Sequence, residues 1–138
     1  MAQDVRLGAV VMFVRDLDRS VAFYRELLGL DVVDRSTTAA LLTNPGGAEL
    51  ILRAMGDSAQ RALGSIGAQY VIWTVSSRDD LDRCERLLRE RSAHPQLRTE
   101  NGAMSVEGTD PDDTPVVIVY HGPNQPPLRE LPTRIYAW

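Results

Sequence analysis

A chain of 138 residues fits one compact domain, which would bury roughly two thirds of its unfolded surface. With 43% hydrophobic and 25% charged residues, the composition is that of an ordinary globular protein. The net charge of −4 and the absence of a basic cluster argue against a nucleic acid partner, because binding phosphates requires a basic face.

Membrane insertion and disulfide bonding are not expected either. No apolar run approaches the roughly 20 residues of a membrane-spanning helix, and the opening MAQDVRLG lacks the basic and apolar regions of a signal peptide. We therefore expect a cytoplasmic protein with no membrane partner. Cys84 is the only cysteine, which excludes an internal disulfide and a cysteine-based zinc site. Its place on an apolar helix stripe predicts a buried, inert thiol.

The opening unit, Ala9 to Val33, predicts a strand, a helix and the start of a second strand. The first strand is the apolar run VVMFV, rich in β-branched residues. Asp16 is a typical N-cap for the helix, and Gly29 is a typical C-terminal stop. The helix stripe consists of Val21, Tyr24, Leu27 and Leu28.

Three more strands complete a first βαβββ module, residues 7–55. The turn Asn44-Pro45-Gly46-Gly47 separates the last two of them. The predicted strands are Asp31 to Ser36, Thr37 to Thr43 and Ala48 to Ala54. Residues 56–67 read as a linker that contains Gly, Ser and Ala.

The same pattern then repeats in residues 68–121. The run YVIWTV is a strand, Ser76 or Ser77 is the cap of the next helix, and the turn Asp110 to Pro115 joins the last two strands. The helix stripe is Leu81, Cys84, Leu87 and Leu88, and the strands are Gln96 to Thr99, Met104 to Gly108 and Val116 to Tyr120. Residues 122–138 form a Pro-rich tail.

This internal repeat of about 60 residues predicts a single α+β domain, residues 1–138. Each module has one sheet face covered by its helix and another that it cannot bury alone. We therefore expect two βαβββ modules that share a curved mixed sheet around a central cavity.

The run VRDLDRSVAFYRELLGL, followed much later by a DPDDT turn, resembles the vicinal oxygen chelate superfamily of glyoxalases, extradiol dioxygenases and bleomycin resistance proteins. The resemblance covers about Leu7 to His121, with Asp113 where the family usually has Gly. It implies the two-module fold, a homodimer, and in the family's enzymes a divalent metal held by His, Gln or Glu.

Of the positions that this resemblance assigns to metal ligands, only Tyr70 and, in a shifted register, Glu49 could donate to a metal. The assigned positions fall on Ala9, Tyr70 and Val117, and on Ile51, or on Glu49 if the register shifts by two. A divalent ion needs several converging oxygen or nitrogen ligands. We therefore expect no metal and no other cofactor.

Strand alternation predicts which side chains line the cavity, because residues two apart share a sheet face. On each strand, the side chains that point away from the cavity are strongly apolar, as a helix-covered face must be. Trp73 is one of them and is therefore expected in the core. The predicted ligand-binding residues are Ala9, Val11, Phe13, Glu49, Ile51, Arg53, Tyr70, Ile72, Val117, Val119 and His121.

The polar members of this set each have a plainer interpretation. Glu49 and Arg53 are expected either to bind opposite ends of a ligand or to be solvated together at the rim of the sheet. Tyr70 donates a hydrogen bond in the pocket, or only packs. His121 is a general base, or a surface residue, and His94 is expected at the surface. Turn chemistry and solubility account for Glu107 and the acidic turn 110–113 better than a Ca²⁺ site does. No motif for nucleophilic, phosphoryl or hydride chemistry is present, so no catalytic residue is assigned.

The function expected from these features is metal-free sequestration of a small apolar or aromatic compound, similar to bleomycin resistance proteins. The alternative is a metal-dependent lyase, isomerase or dioxygenase with displaced ligands drawn from Glu49, Tyr70, Glu107 and His121, or a metal-free acid–base catalyst. A protein-interaction role without a ligand is the third possibility.

Overall fold

The structure is a computed structural model that describes residues 5–60, 66–91, 95–100 and 102–122. His94, part of the linker and residues 123–138 of the tail lie outside the described residues. The elements are β1 (Val10–Val14), α1 (Leu17–Leu28), β2 (Asp31–Arg35), β3 (Ala39–Thr43), β4 (Glu49–Ala54), β5 (Val71–Val75), α2 (Arg78–Arg91), β6 (Gln96–Glu100), β7 (Ala103–Thr109) and β8 (Pro115–Tyr120).

The ends of α1 are set by the residues that the sequence indicates. The Asp16 side chain accepts a hydrogen bond of 3.0 Å from the backbone N–H of Arg19, which satisfies a free amide of the first turn. Gly29 adopts the left-handed conformation, with φ 63°, and its N–H donates to the carbonyl of Arg25. Strand β2 then begins at Asp31.

The two modules have the same strand order, β1-β4-β3-β2 and β5-β8-β7-β6. In each, the first strand runs parallel to the last, and the other pairs are antiparallel. The α+β class and the two-module architecture are thus confirmed. The expected shared sheet is realised as two four-stranded sheets, because β1 and β5 are both edge strands and the described strands pair only within their own module.

The core lies between each sheet and its helix. Leu50 and Leu52 on β4 and Ile118 on β8 are fully buried, as the predicted parity requires. Helix α1 packs against β3 and β4, α2 packs against β5, β7 and β8, and the two helices contact each other. In the described part of the chain, no helix is long and apolar enough to cross a membrane.

Candidate ligand-binding site

The uncovered face of the first sheet, on the side away from α1, is apolar at its centre and exposed. Val11 pairs with Ile51 in the parallel register, and Phe13 pairs with Arg53. Val11 is 59% exposed and Phe13 is 64% exposed. Ile51 is half-buried, and Arg53 and Glu49 are exposed. The structure therefore brings these predicted residues together on one open surface.

The corresponding face of the second sheet is more enclosed. Ile72 pairs with Val117, and Val117 and Val119 are each only 5% exposed. Tyr70 immediately precedes β5 and His121 immediately follows β8, and both are half-buried. The predicted residues of this module thus also share one face or its ends.

Glu107 also belongs to this second face, where the sequence predicts it only as an alternative metal ligand. It lies directly opposite Val117 on the neighbouring strand β7. Its side chain is only 12% exposed, and its carboxylate lies 3.7 Å from Nε of Arg98 on β6. Alternation along β7 would have placed Glu107 on this face, as it does for the other strands.

A cleft of about 690 Å³ opens between the two modules. Of the predicted residues, Ala9, Glu49 and Ile72 line it, whereas the remaining eight do not. Trp73 packs against the core cluster, as expected, and also contributes to the cleft wall. Strand alternation could not predict this cleft, because it lies between the edges of β1 and β5 and depends on how the modules meet.

A buried polar network joins the same two modules at another point. The Tyr24 hydroxyl on α1 donates a hydrogen bond of 2.7 Å to Oδ2 of Asp110, which precedes β8. Oδ1 of Asp110 accepts from the backbone N–H groups of Asp112, at 2.8 Å, and Thr114, at 3.0 Å. Asp110 is 4% exposed and Tyr24 is 1% exposed.

Asp112 provides a second set of contacts across the junction. Its carboxylate accepts a hydrogen bond of 3.3 Å from the backbone N–H of Arg15. The guanidinium groups of Arg15, at 3.5 Å, and Arg19, at 3.4 Å, pair with the same carboxylate. Asp112 is 7% exposed. Turn chemistry is confirmed for Asp110, whose Oδ1 accepts from two backbone amides of the turn. Solubility is the wrong explanation for Asp110 and Asp112, because both are buried against residues of the first module.

Among the described residues, burial shifts three titratable groups, two of them in this network. Desolvation raises the pKa of Asp110, although the hydrogen bonds from Tyr24 and two backbone amides oppose the shift. Desolvation and the neighbouring Asp110 raise the pKa of Tyr24 well above its usual value. Burial raises the pKa of the Cys84 thiol, which supports its interpretation as an inert core residue.

The metal site that the resemblance implies does not fit the residues present. The side chains of Ala9, Ile51 and Val117 carry no donor atom, Tyr70 supplies one phenolic oxygen, and Glu49 adds one carboxylate only in the register shifted by two. Among the described residues, no group of three or more His, Cys, Asp or Glu side chains converges. Glu49, Glu107 and His121 therefore do not form such a group in this structure.

Comparison with known families gives one match that spans most of the chain. The sequence profile of the Glyoxalase/Bleomycin resistance protein/Dioxygenase superfamily matches residues 6–118. No curated protein matches the chain significantly.

Several solved structures share the fold. A glyoxylase/bleomycin resistance protein/dioxygenase domain from Frankia sp. EAN1pec is 23% identical, with a TM-score of 0.74, over 86% of this chain and 98% of that one. A lactoylglutathione lyase from Agrobacterium tumefaciens is 20% identical, with a TM-score of 0.64, over 86% of this chain and 95% of that one. Oxidase ChaP-H2 is 20% identical, with a TM-score of 0.65, over 89% of this chain and 98% of that one. At these identities the likeness shows the fold alone.

Proposed function

Because this chain belongs to the Glyoxalase/Bleomycin resistance protein/Dioxygenase superfamily, we propose that it binds a small apolar or aromatic compound without a metal ion. The role is sequestration, in the manner of an antibiotic resistance protein, and no covalent step is assigned. A cytoplasmic location is part of the same proposal.

The observation that carries this proposal is the chemistry of the two sheet faces on the side away from the helices, of which the first is open and the second is more enclosed. Their centres are apolar, with Val11, Phe13 and Ile51 on the first sheet and Val117 and Val119 on the second. The residues at the family's metal positions offer too few donors for a divalent ion. Apolar side chains with a few polar groups at the ends are typical of a site for a small organic molecule.

The expected affinity follows from the apolar area that such a ligand buries. About 300 Å² at about 25 cal/mol per Å² amounts to roughly 7 kcal/mol before the costs of association. Micromolar binding requires a net gain of about 8 kcal/mol, so the apolar area alone is not sufficient and the polar groups at the ends of the faces must contribute as well.

A second copy of the chain is part of the proposal. Two large apolar side chains, Val11 and Phe13, are more than half exposed at the centre of the first sheet face. Exposed apolar surface of this kind usually marks an interface or a ligand site. A homodimer that covers this face would bury these side chains and enclose the ligand.

Metal binding is tested first, by equilibrium dialysis of the purified chain against Ni²⁺, Mn²⁺, Fe²⁺ and Zn²⁺ with elemental analysis. We expect no stoichiometric uptake at micromolar metal. Stoichiometric uptake would overturn the metal-free proposal in favour of the enzyme with displaced ligands. Glu49→Gln and Glu107→Gln would then identify those ligands.

Ligand binding is tested by a thermal-shift screen of aromatic antibiotics with two matched variants. A ligand at about 100 times its Kd stabilises the folded state by about 2.7 kcal/mol, which raises the melting temperature by several degrees. Phe13→Ala should remove the shift. Leu97→Ala should keep it, because Leu97 is also exposed but lies on the opposite, helix-covered face of its sheet. A shift that survives Phe13→Ala would place the ligand elsewhere, and a screen without any shift would count against a binding role.

A further inference from the structure

The cleft between the modules has a chemical character of its own, different from that of the sheet faces. One side is formed by the start of β1 and the end of α1, and the other by β5 and the first turns of α2. Its volume of about 690 Å³ lies within the usual range for sites that hold small organic molecules. Binding in this cleft is independent of the function proposed for the sheet faces.

The charged groups of the cleft leave it with an excess of negative charge. Glu49 and Asp80 are its two acidic side chains among the described residues, and Arg83 is the one basic side chain there. The Arg83 guanidinium is already engaged, since it donates to the carbonyls of Glu26, at 2.8 Å, and Leu27, at 3.1 Å. It also lies 3.8 Å from the Asp80 carboxylate. Glu49, which is exposed, is left as a carboxylate facing the cleft.

The backbone at the base of the cleft adds to this bias. Leu27, Leu28 and Gly29 bring the C-terminal end of α1 to the lining. Carbonyl groups at a helix C-terminus carry partial negative charge and favour cations. Arg83 and the Cys84 thiol both donate to the Leu27 carbonyl, so that carbonyl already has partners and the acidic side chains supply the main charge for a ligand.

The wall of the cleft is apolar and includes an aromatic ring. Trp73 is half-buried and lines the cleft between Val71 and Val75. An indole face attracts cations as well as flat apolar groups. Thr74 and Ser76, on the same strand and just after it, supply hydroxyl groups.

We propose that the cleft between the modules binds a small organic cation, an ammonium or guanidinium group carried on an apolar body. The cationic group lies against Glu49 and Asp80, and the apolar body lies against Trp73.

The test uses three probes that share a phenylethyl group and differ in charge: 2-phenylethylammonium, 2-phenylethanol and 3-phenylpropionate. Trp73 and Trp138 are the two tryptophans of the chain, so Trp138→Phe in the full-length protein leaves Trp73 as the reporter. We expect the cation to change Trp73 fluorescence with a Kd of about 1 mM, typical of a ligand of this size. The neutral and anionic probes should bind on the order of tenfold more weakly, since they lose a charge-assisted hydrogen bond.

Matched variants locate the binding. Asp80→Asn and Glu49→Gln should each weaken the cation on the order of tenfold and leave 2-phenylethanol unchanged. Asp79→Asn makes the same change one residue away, outside the lining, and should have no effect. Equal affinity for all three probes, no binding of the cation, or equal losses in Asp79→Asn and Asp80→Asn would overturn the proposal. A loss caused by Phe13→Ala would overturn it too, because Phe13 lies outside the cleft.

Discussion

Asp110 is a carboxyl group held at the junction of the modules with 4% of its surface exposed. Burial raises its pKa in the folded state above the value of about 3.9 that it has in an unfolded chain. The unfolded state therefore releases this proton at lower pH than the folded state does. The contribution of Asp110 to the free energy of unfolding is complete below pH 4 and decreases as pH rises through the folded pKa.

Asp110→Asn isolates this contribution, because an amide of the same shape does not titrate. The wild type should lose stability relative to Asp110→Asn as pH rises from about 4 through the folded pKa. Urea denaturation of both proteins at several pH values between 4 and 7 gives this difference. Tyr24, Asp112, Arg15 and Arg19, which face the junction, are present in both proteins. A difference that stays constant over this range would show that Asp110 does not titrate as described.

Asp113 occupies a backbone conformation that favours glycine. Its φ is 64°, and no other described non-glycine residue has positive φ. An Asp residue tolerates the left-handed region better than most residues, but this conformation still destabilises the folded state. Asp113→Gly should therefore raise the free energy of unfolding by about 1 kcal/mol in urea denaturation. Asp34→Gly, at an exposed position in strand β2, should lower it, because there glycine only adds freedom to the unfolded chain.

The DPDDT turn shows which properties of single residues are predictable from the sequence and which are not. Asp113 was recognised as the residue in place of the family's Gly, and its positive φ agrees with that alignment. The burial of Asp110 and Asp112 was missed, because their partners Tyr24 and Arg15 belong to the other module. A stripe position such as Tyr24 predicts that a ring is buried but does not predict where its hydroxyl points.

At the scale of elements, the start of α2 offers a direct test of helix capping. Ser76 and Ser77 were equivalent candidates in the sequence, and in the structure Oγ of Ser77 accepts a hydrogen bond of 3.1 Å from the backbone N–H of Asp80. Ser77→Ala should lower the free energy of unfolding by about 1 kcal/mol. Ser76→Ala is the matched control and should change it by less than about 0.5 kcal/mol. Thermal and urea denaturation distinguish the two, and equal effects would contradict the capping assignment.

The elements themselves were predictable because their signals are local. For α1 these signals are all close together in the sequence. They are the change from an apolar run to a helical stripe, the Asp16 cap just before the helix and the Gly29 stop just after it. Period-two alternation correctly separated buried Leu50 and Leu52 from exposed Val11 and Phe13. The cleft was not predictable in the same way, since it is formed by residues of β1 and β5 that are distant in sequence and do not pair.

At the scale of the whole molecule, the two modules are held together by contacts that do not extend either sheet. Helices α1 and α2 contact each other, Arg83 of α2 donates to the end of α1, and Tyr24 of α1 donates to Asp110. The internal repeat predicted two such modules, but a repeat carries no information on how its copies meet. The first sheet is consequently left with an apolar face that its own helix cannot cover.

Substitution of Phe13 tests whether a second copy covers that face. We expect the wild type to sediment as a dimer at micromolar concentration, and Phe13→Asp to sediment as a monomer, because the interface would have to desolvate a carboxylate and the neighbouring Arg53 in place of an apolar ring. Phe13 is 64% exposed in one copy, so the variant should keep its helical circular dichroism. Ile66→Asp places the same charge at an exposed apolar residue before β5 and should remain a dimer. If the wild type stays monomeric at 100 times that concentration, or if Phe13→Asp stays dimeric, the apolar face is not the dimer interface. The loss of the thermal shift in Phe13→Ala would then have to be explained by contact with the ligand, without a second copy of the chain.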